Sequence, residues 1–411
     1  MTSDNGRAAA DTALRELLTP AGRNDPYPRY RVLREVAPIH ASRIGPLVLT
    51  RYDDCAAMLR SHAFSVHDSA WLDATIPNWR ERPALATGGQ SLIFRNPPDH
   101  TRLRQLVNSP FTPRRVQAMR EQIERLVGDQ LDMMADAGAD GSPVDLRDLL
   151  ALPLPVAVIG ALLGVPESDW AWVRGPAANL TPLVDFFPSS EDLDRADEAA
   201  RFFLPYFRDL AQQRRRAPTD DLISALVAVR DDNGDMLTED ELTETAILLF
   251  IAGFETSVNL ITNGVLAMLE HPDQLACLSA DPSLAAGAVE EVLRYDAPVQ
   301  GAGRVAQTDT AIAGVPVPAG KEVWALLGAA NRDPAQFTDP DRFDITRTGV
   351  KVATFGGGIH FCLGAPLARL EGVVAFPALF QRFPQLALAK EPVRRPNFNL
   401  RGFTTFPVTV R

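Results

Sequence analysis

Cysteine is scarce: Cys55, Cys277 and Cys362 are the only three in 411 residues. So sparse and odd a set builds no disulfide framework and shows no zinc-ligand spacing, which suits a reducing, cytoplasmic setting. Net positive charge is missing too. The chain carries −11 at neutral pH, which disfavours non-specific binding to nucleic acid. The stretch from Met1 to Leu18 alternates charged and small residues. It has no apolar core, so nothing in it directs export. No internal repeat, low-complexity tract or long linker is visible.

What is present is globular: 46% of residues are hydrophobic and 23% charged, and the length suffices to bury a cofactor. Helical patterns dominate. Strand signals are confined to Leu47–Arg51, Val323–Leu327, the hairpin-like Ile312–Gly320 and the aromatic, β-branched block Phe398–Val410. One apolar stretch, Leu149–Pro166, is about long enough to cross a bilayer. Pro153, Pro155, Gly160, Gly164 and Pro166 interrupt it, and aromatic or basic flanks are missing. It reads as a proline-opened helix buried in the core, with no membrane span.

The clearest helix opens at Thr238, where Thr238-Glu-Asp-Glu241 forms a capping box. It should stop near His271-Pro272. That makes roughly 32 residues and about 48 Å, apolar around most of its girth, so it should cross the middle of the molecule.

Four segments carry chemistry. The first is Phe355-Gly-Gly-Gly-Ile-His-Phe-Cys-Leu-Gly364, followed by Ala365-Pro-Leu-Ala-Arg369. Pro366 fits a first helical turn, so Cys362 sits just before a helix N-terminus. Free amides and the positive dipole end favour thiolate there. The glycines allow backbone to lie flat against a planar ligand. A structural cysteine beside a flexible loop explains the same residues. A phosphate loop does not, because no Gly-Lys-Ser/Thr follows.

This segment resembles the heme-binding signature of the cytochrome P-450 family, F-x-x-G-x-x-x-C-x-G. The resemblance covers about Asp25 to Val410. It implies a mainly α fold with a smaller β region, formed by one domain over 25–411 behind an N-terminal tail at 1–24. Heme b would lie buried between the long helix and the cysteine loop. Cys362 would ligate iron, with Phe355, Gly356 and Gly364 around the cofactor, and thiolate ligation favours O–O cleavage.

The second segment, Ala252-Gly-Phe-Glu-Thr256, puts an acid and a glycine into an apolar helix. Both are locally costly, which points to function. The plainer reading is an acid on a solvated stripe, with Thr256 bonding back to Ala252. The segment is similar to the family's oxygen-binding motif A-G-x-[DE]-T. By that resemblance Gly253 leaves room for dioxygen, Thr256 hydrogen-bonds the oxygen, and Glu255 brings protons. Phe254 and Ser257 replace the common His and second Thr.

The third element pairs Glu291-Val-Leu-Arg294 with Asp339-Pro-Asp-Arg-Phe343. Alone, an i, i+3 ion pair means little. Together they resemble the family's E-x-x-R and P-x-R-F elements, which implies a structural charge network of Glu291, Arg294 and Arg342. The fourth set is cationic: His100, Arg104, Arg304 and His360 match the family's donors to the heme propionates.

From Arg95 to Arg125 seven arginines face Asp99, Glu121 and Glu124, a local excess of +4. A solvated helix face gives the same pattern. In the family this region lies on the proximal face, so an acidic iron–sulfur or flavin donor is expected to dock there. No reductase domain follows Arg411 and no Rossmann glycine pattern precedes the heme segment. Electrons from NAD(P)H are therefore expected through separate proteins, ferredoxin with ferredoxin reductase or a flavodoxin-type donor, acting on a monomer. Family substrate loops correspond to 69–91, 180–190, 298–303 and 400–405. Trp71, Ile76, Trp79, Phe186, Val299 and Phe403 would make an apolar or aromatic pocket, although each could equally be core.

Three activities compete. A monooxygenase would hydroxylate or epoxidise an apolar small molecule, as soluble actinobacterial relatives do in secondary-metabolite biosynthesis. The same site could instead couple or cyclise its substrate; product mass separates the two, about +16 Da against about −2 Da. A non-enzymatic heme sensor has no need of the Glu255–Thr256 pair.

Overall fold

The capping box at Thr238 forms as expected. The Thr238 amide donates to Glu241 Oε2 at 2.9 Å, and the Glu241 amide to Thr238 Oγ1 at 3.2 Å. Eight helices position the residues of interest in the computed structural model, which describes residues 4–108, 111–230 and 234–410. In chain order they are α1 (Asp4–Leu17), α2 (Tyr52–Arg60), α3 (Asp99–Asn108), α4 (Pro153–Leu163), α5 (Ser190–Arg216), α6 (Glu239–Glu270), α7 (Ala285–Tyr295) and α8 (Ala365–Arg382). The strands are β1 (Ile39–Ala41), β2 (Leu47–Leu49), β3 (Phe64–Ser65), β4 (Gly301–Ala306), β5 (Thr310–Ile312), β6 (Val315–Val317), β7 (Glu322–Leu326), β8 (Phe403–Thr405) and β9 (Pro407–Thr409), with short partners at Val144–Asp145, Ala387–Leu388 and Val393–Arg394. The fold is therefore mainly α with a smaller β part.

Residues group into two compact units. The first holds the chain up to Val66, Asn259–Cys362 and Pro392–Thr404; the second holds His67–Val258, Leu363–Glu391 and the chain from Thr405. Both units are assembled from separated stretches of the chain.

The first unit is built on a five-stranded sheet in the order β1-β2-β7-β4-β3. Strand β2 runs parallel to β7 with Leu47 opposite Val323, and β4 runs antiparallel to β7 with Gly301 opposite Leu326. Leu47, Leu49, Val323 and Ala325 bury against Cys55, Met58 and Leu59 of α2. The hairpin expected at Ile312–Gly320 is β5–β6, and it turns on Ala313 and Gly314, both at positive φ. The stretch expected as a tail is helical instead from Asp4. In α1, Ala10, Ala13, Leu14 and Leu17 are buried at helical spacing, and Asp11 accepts from His40 at 2.9 Å.

In the second unit the apolar stretch read as a core helix is α4, opened by Pro153 and closed by Gly164 in a left-handed conformation. Its Leu154, Val156, Val158 and Ile159 are buried. Phe203 and Phe207 of α5 meet Phe250 of α6, with ring centroids 5.8 and 5.9 Å apart. Helix α6 is the one helix among the described residues apolar and long enough to span a membrane, and two-thirds of its most apolar window is buried in the protein. The C-terminal strand block splits into β8 and β9, which belong to different sheets.

Candidate functional site

Cys362 lies in the first unit, on the loop that leads to the first turn of α8, where Pro366 stands as expected. The loop is pinned by backbone: the Cys362 amide donates to the Phe355 carbonyl at 3.0 Å. The Phe355 and Phe361 rings lie 6.3 Å apart. Cys362 is exposed, whereas Cys55 is buried in the sheet core and burial raises its thiol far above the ordinary range. The bland reading of Cys362 as a buried structural cysteine therefore fails.

The glycines have a local reason that differs from the expected one. Gly356 and Gly358 have φ of +70° and +63°, a region that L side chains avoid. A Cβ on Gly358 would also fall 2.5 Å from the Leu59 carbonyl oxygen, and one on Gly357 3.3 Å from Leu59 Cβ. These glycines let the loop close on the end of α2. Gly364 caps α8 at φ −79°, where any residue fits.

The first unit also carries the charge network. Arg294 donates to both oxygens of Glu291 at 2.7 Å, and both residues are fully buried. The cationic end differs from expectation. Arg342 points away, 65% exposed and only 4.0 Å from Asp344. Its carbonyl, not its guanidinium, joins the network, accepting from Arg294 and Arg347 at 3.0 Å each. Arg347 supplies the second cation, with Nε 3.2 Å from Glu291 Oε1. Asn331 and Thr354 extend the network to the loop before Cys362: Thr354 donates to the Leu293 carbonyl at 2.7 Å and accepts from Asn331 at 2.8 Å.

Heme is a dianion at its propionates, so the donor set offers a test of fit. Arg304, on β4, passes it. Its guanidinium is partly buried, donates to the Gly303 carbonyl at 2.8 Å, and meets no carboxylate among the described residues. Desolvation alone pushes its pKa down to about 10. A cation without an acid is costly to bury, and a propionate would relieve that cost. His360, on the turn Gly358–His360, belongs to the same unit. His100 and Arg104 are in the second unit, one turn apart on a single face of α3. His100 is 1% exposed.

The acid–alcohol pair lies in the second unit on α6. Glu255 is 1% exposed, so it is not on a solvated stripe. Thr256 does bond back, its hydroxyl 2.9 Å from the Ala252 carbonyl. Gly253 faces α4: a Cβ there would stand 2.8 Å from Ile159 Cδ1 and Cγ1. Close packing of α6 on α4 is by itself enough to require glycine at this position.

A further acid escaped the sequence reading. Glu371 on α8 is 1% exposed. Burial pushes its carboxyl up to about 8, eased only by the hydroxyl of Ser257, one residue past Thr256. Its one signal was an acid between Leu370 and Gly372 in an apolar helix.

The arginine-rich stretch is largely neutralised. Arg95 pairs with Asp99, Arg102 with Glu241, Arg115 with Asp220 and Arg120 with Glu124; Arg114 is exposed. Two of the expected pocket aromatics are buried. Trp79 packs against Gly89 and donates to Asp73 at 2.9 Å, and Phe403 is buried beneath the Arg394 guanidinium, 4.2 Å from its ring. The Trp71 and His67 rings meet at a tilt of 55°, their centroids 4.2 Å apart. Ile76, Phe186 and Val299 are partly buried, and Val299 bridges to Leu400.

Comparison with known proteins gives one answer. Residues 173–281 and 283–409 match the family described as Cytochrome P-450. The chain is 41% identical to 6-deoxyerythronolide B hydroxylase of Saccharopolyspora erythraea, over 93% of this chain and 96% of that protein. It is 42% identical to the cytochrome P-450 monooxygenase PikC of Streptomyces venezuelae, over 94% and 91%. A solved complex of P-450 BioI with acyl carrier protein ligated to hexadec-9Z-enoic acid superposes with a TM-score of 0.88 at 38% identity, covering 95% of this chain and 99% of that one. The chain belongs to the cytochrome P-450 family, as a monooxygenase that uses heme b and draws on NAD(P)H indirectly, through redox partners.

Proposed function

We propose that the chain hydroxylates or epoxidises an apolar small molecule in secondary-metabolite biosynthesis, in the cytoplasm, with electrons from ferredoxin and ferredoxin reductase or a flavodoxin-type donor. The observation that carries this reading is the burial of Glu255, next in sequence to Thr256 on α6. A passive binder has no use for a buried acid that costs stability, whereas a monooxygenase must deliver protons to bound oxygen.

The residues divide the work. Cys362 holds the iron, and Arg304, His360, His100 and Arg104 hold the propionates. Heme with a thiolate ligand supplies oxygen activation. Glu255 keeps an ionisable group inside the protein, and Thr256 keeps a hydroxyl beside it. Glu291, Arg294 and Arg347 hold the chain that precedes the cysteine loop. Exposed Arg114 and Arg125, with no carboxylate partner among the described residues, are the cations that would face an acidic donor.

The deciding measurement is the absorption spectrum of the reduced, CO-bound protein. A red-shifted Soret band, lost in Cys362→Ala with heme still bound, is expected. Survival of that band in the variant would refute thiolate ligation. Product mass then separates oxygen insertion, about +16 Da, from coupling, about −2 Da.

A further inference from the structure

The acids at the start of α6 are paired, with one exception. Asp240 lies 3.2 Å from Arg208. Glu241 accepts from Arg102 while it closes the capping box. Arg95 is the cation whose field reaches Glu244. It is itself held by Asp99 at 3.4 Å and by the Gln90 carbonyl at 3.0 Å. Among the described residues Glu244 has neither an ion pair nor a hydrogen-bond partner for its carboxylate. It is partly buried, and burial pushes its carboxyl up to about 7. A partly buried acid that meets only the distant field of Arg95 is a candidate binding group.

Its position on the helix supplies an independent observation. Glu244, Leu248, Ala252 and Thr256 recur every four residues and share one face of α6. None of the four is fully buried, and Ala252 is exposed. Phe250, Phe254 and Val258, on the other side, are all buried. The open row therefore runs from a lone carboxylate, over two aliphatic side chains, to the hydroxyl of the acid–alcohol pair. Twelve residues separate its ends, about 18 Å along the axis. A partner for this row needs an apolar body and, at the far end, a group that satisfies a carboxylate.

We propose that Glu244 recognises a cationic nitrogen, a tertiary or quaternary ammonium, at one end of an elongated apolar substrate whose other end lies at Thr256. That the Thr256 end is the reacting end rests on the monooxygenase reading; the ammonium site does not. Charge complementarity selects the cation. Asp240 and Glu241 are already neutralised by arginines, and Arg95 by Asp99, so Glu244 is left with an unmatched negative charge when ionised.

The test uses the heme-loaded full chain and three twelve-carbon probes below their micelle concentrations: dodecyltrimethylammonium, dodecanol and dodecyl sulfate. The quaternary head has no lone pair and cannot ligate iron. Binding is read by calorimetry and, separately, by the Soret shift. At pH 8 the ammonium should bind about tenfold tighter than the alcohol. Glu244→Gln should abolish that preference and leave alcohol binding unchanged. Glu244→Lys should move the preference to the sulfate. At pH 6 the wild-type preference should shrink as Glu244 takes up its proton, with no such change in Glu244→Gln. The CO-bound spectrum and unfolding midpoint of each variant establish that it folds. Equal binding of ammonium and alcohol, an equal loss of both in Glu244→Gln, or no binding of any probe would overturn the proposal. A calorimetric preference that persists without a red-shifted CO band would instead overturn the heme-thiolate reading and leave the ammonium site standing.

Discussion

Arg347, not Arg342, completes the charge network: its Nε lies 3.2 Å from Glu291 Oε1, while the Arg342 guanidinium is turned to solvent. The remaining Arg347 donors reach the Thr338 and Asp339 carbonyls at 2.6 and 2.8 Å, so one side chain ties the 338–347 loop to a fully buried carboxylate. Arg347→Ala should cost about 2–3 kcal/mol, less than a full buried-pair loss because Arg294 still faces Glu291. Arg342→Ala should stay within about 0.5 kcal/mol, as surface changes do. Thermal unfolding at matched heme content compares the two. A larger loss from Arg342→Ala would contradict the assignment.

Gly253 gives a second prediction. Alanine is the better helix former by about 1 kcal/mol, yet its Cβ would press on Ile159. Overpacking of this kind costs about 1–3 kcal/mol, so Gly253→Ala should destabilise the protein. Combined with Ile159→Ala, the same change should be neutral or stabilising relative to Ile159→Ala alone. A double-mutant cycle on unfolding midpoints reads the coupling, and additive effects would mean that helix packing is not why glycine is there.

These two cases mark where the sequence could be read and where it could not. The capping box at Thr238 was legible because its partners are three residues apart, and the Cys362 loop because its spacing is rigid. Arg347 was not, since it meets Glu291 across 56 residues and a lone arginine carries no sign of its partner. Glu371 was hidden for a related reason: only tertiary packing makes an acid on a helix a buried one. The helix at Asp4–Leu17 was overlooked because its apolar positions, Ala10, Ala13, Leu14 and Leu17, sit among charges that read as solvated. Trp79 and Phe403 were open to two readings, because aromatic content does not distinguish pocket from core; both are buried.

Arg304 separates heme binding from folding. Its guanidinium is held against desolvation without an acid partner among the described residues, so removing it strands none of their carboxylates. Arg304→Gln should leave the heme-free protein as stable as the wild type or slightly more so. It should release heme faster, by a factor of roughly ten if one charge-assisted hydrogen bond is lost. Transfer of heme to an excess of apomyoglobin measures the rate. An unchanged rate would remove Arg304 from the propionate donors.

Glu371 predicts a pH dependence whose sign runs against the usual carboxylate. Its carboxyl is raised to about 8 in the fold by burial, against an ordinary glutamate value of about 4.3 in the unfolded chain. Between these values the folded protein keeps a proton that the unfolded chain has released. Stability therefore falls as pH rises through this window, and levels off above the folded value. Asp296 acts in the opposite sense. Burial opposes its charge, but Arg401 and Arg394 hold its carboxyl far below the usual range, so its contribution is complete above about pH 4 and is lost only in acid. The two groups are thus separable between pH 5 and 8, where Glu371 titrates and Asp296 does not. Glu371→Gln keeps the shape and removes the titration. Relative to the wild type it should gain in unfolding midpoint steadily from pH 5 to pH 8. A difference that is flat across that range would show that Glu371 is ionised in the fold throughout, with a partner that lowers its pKa.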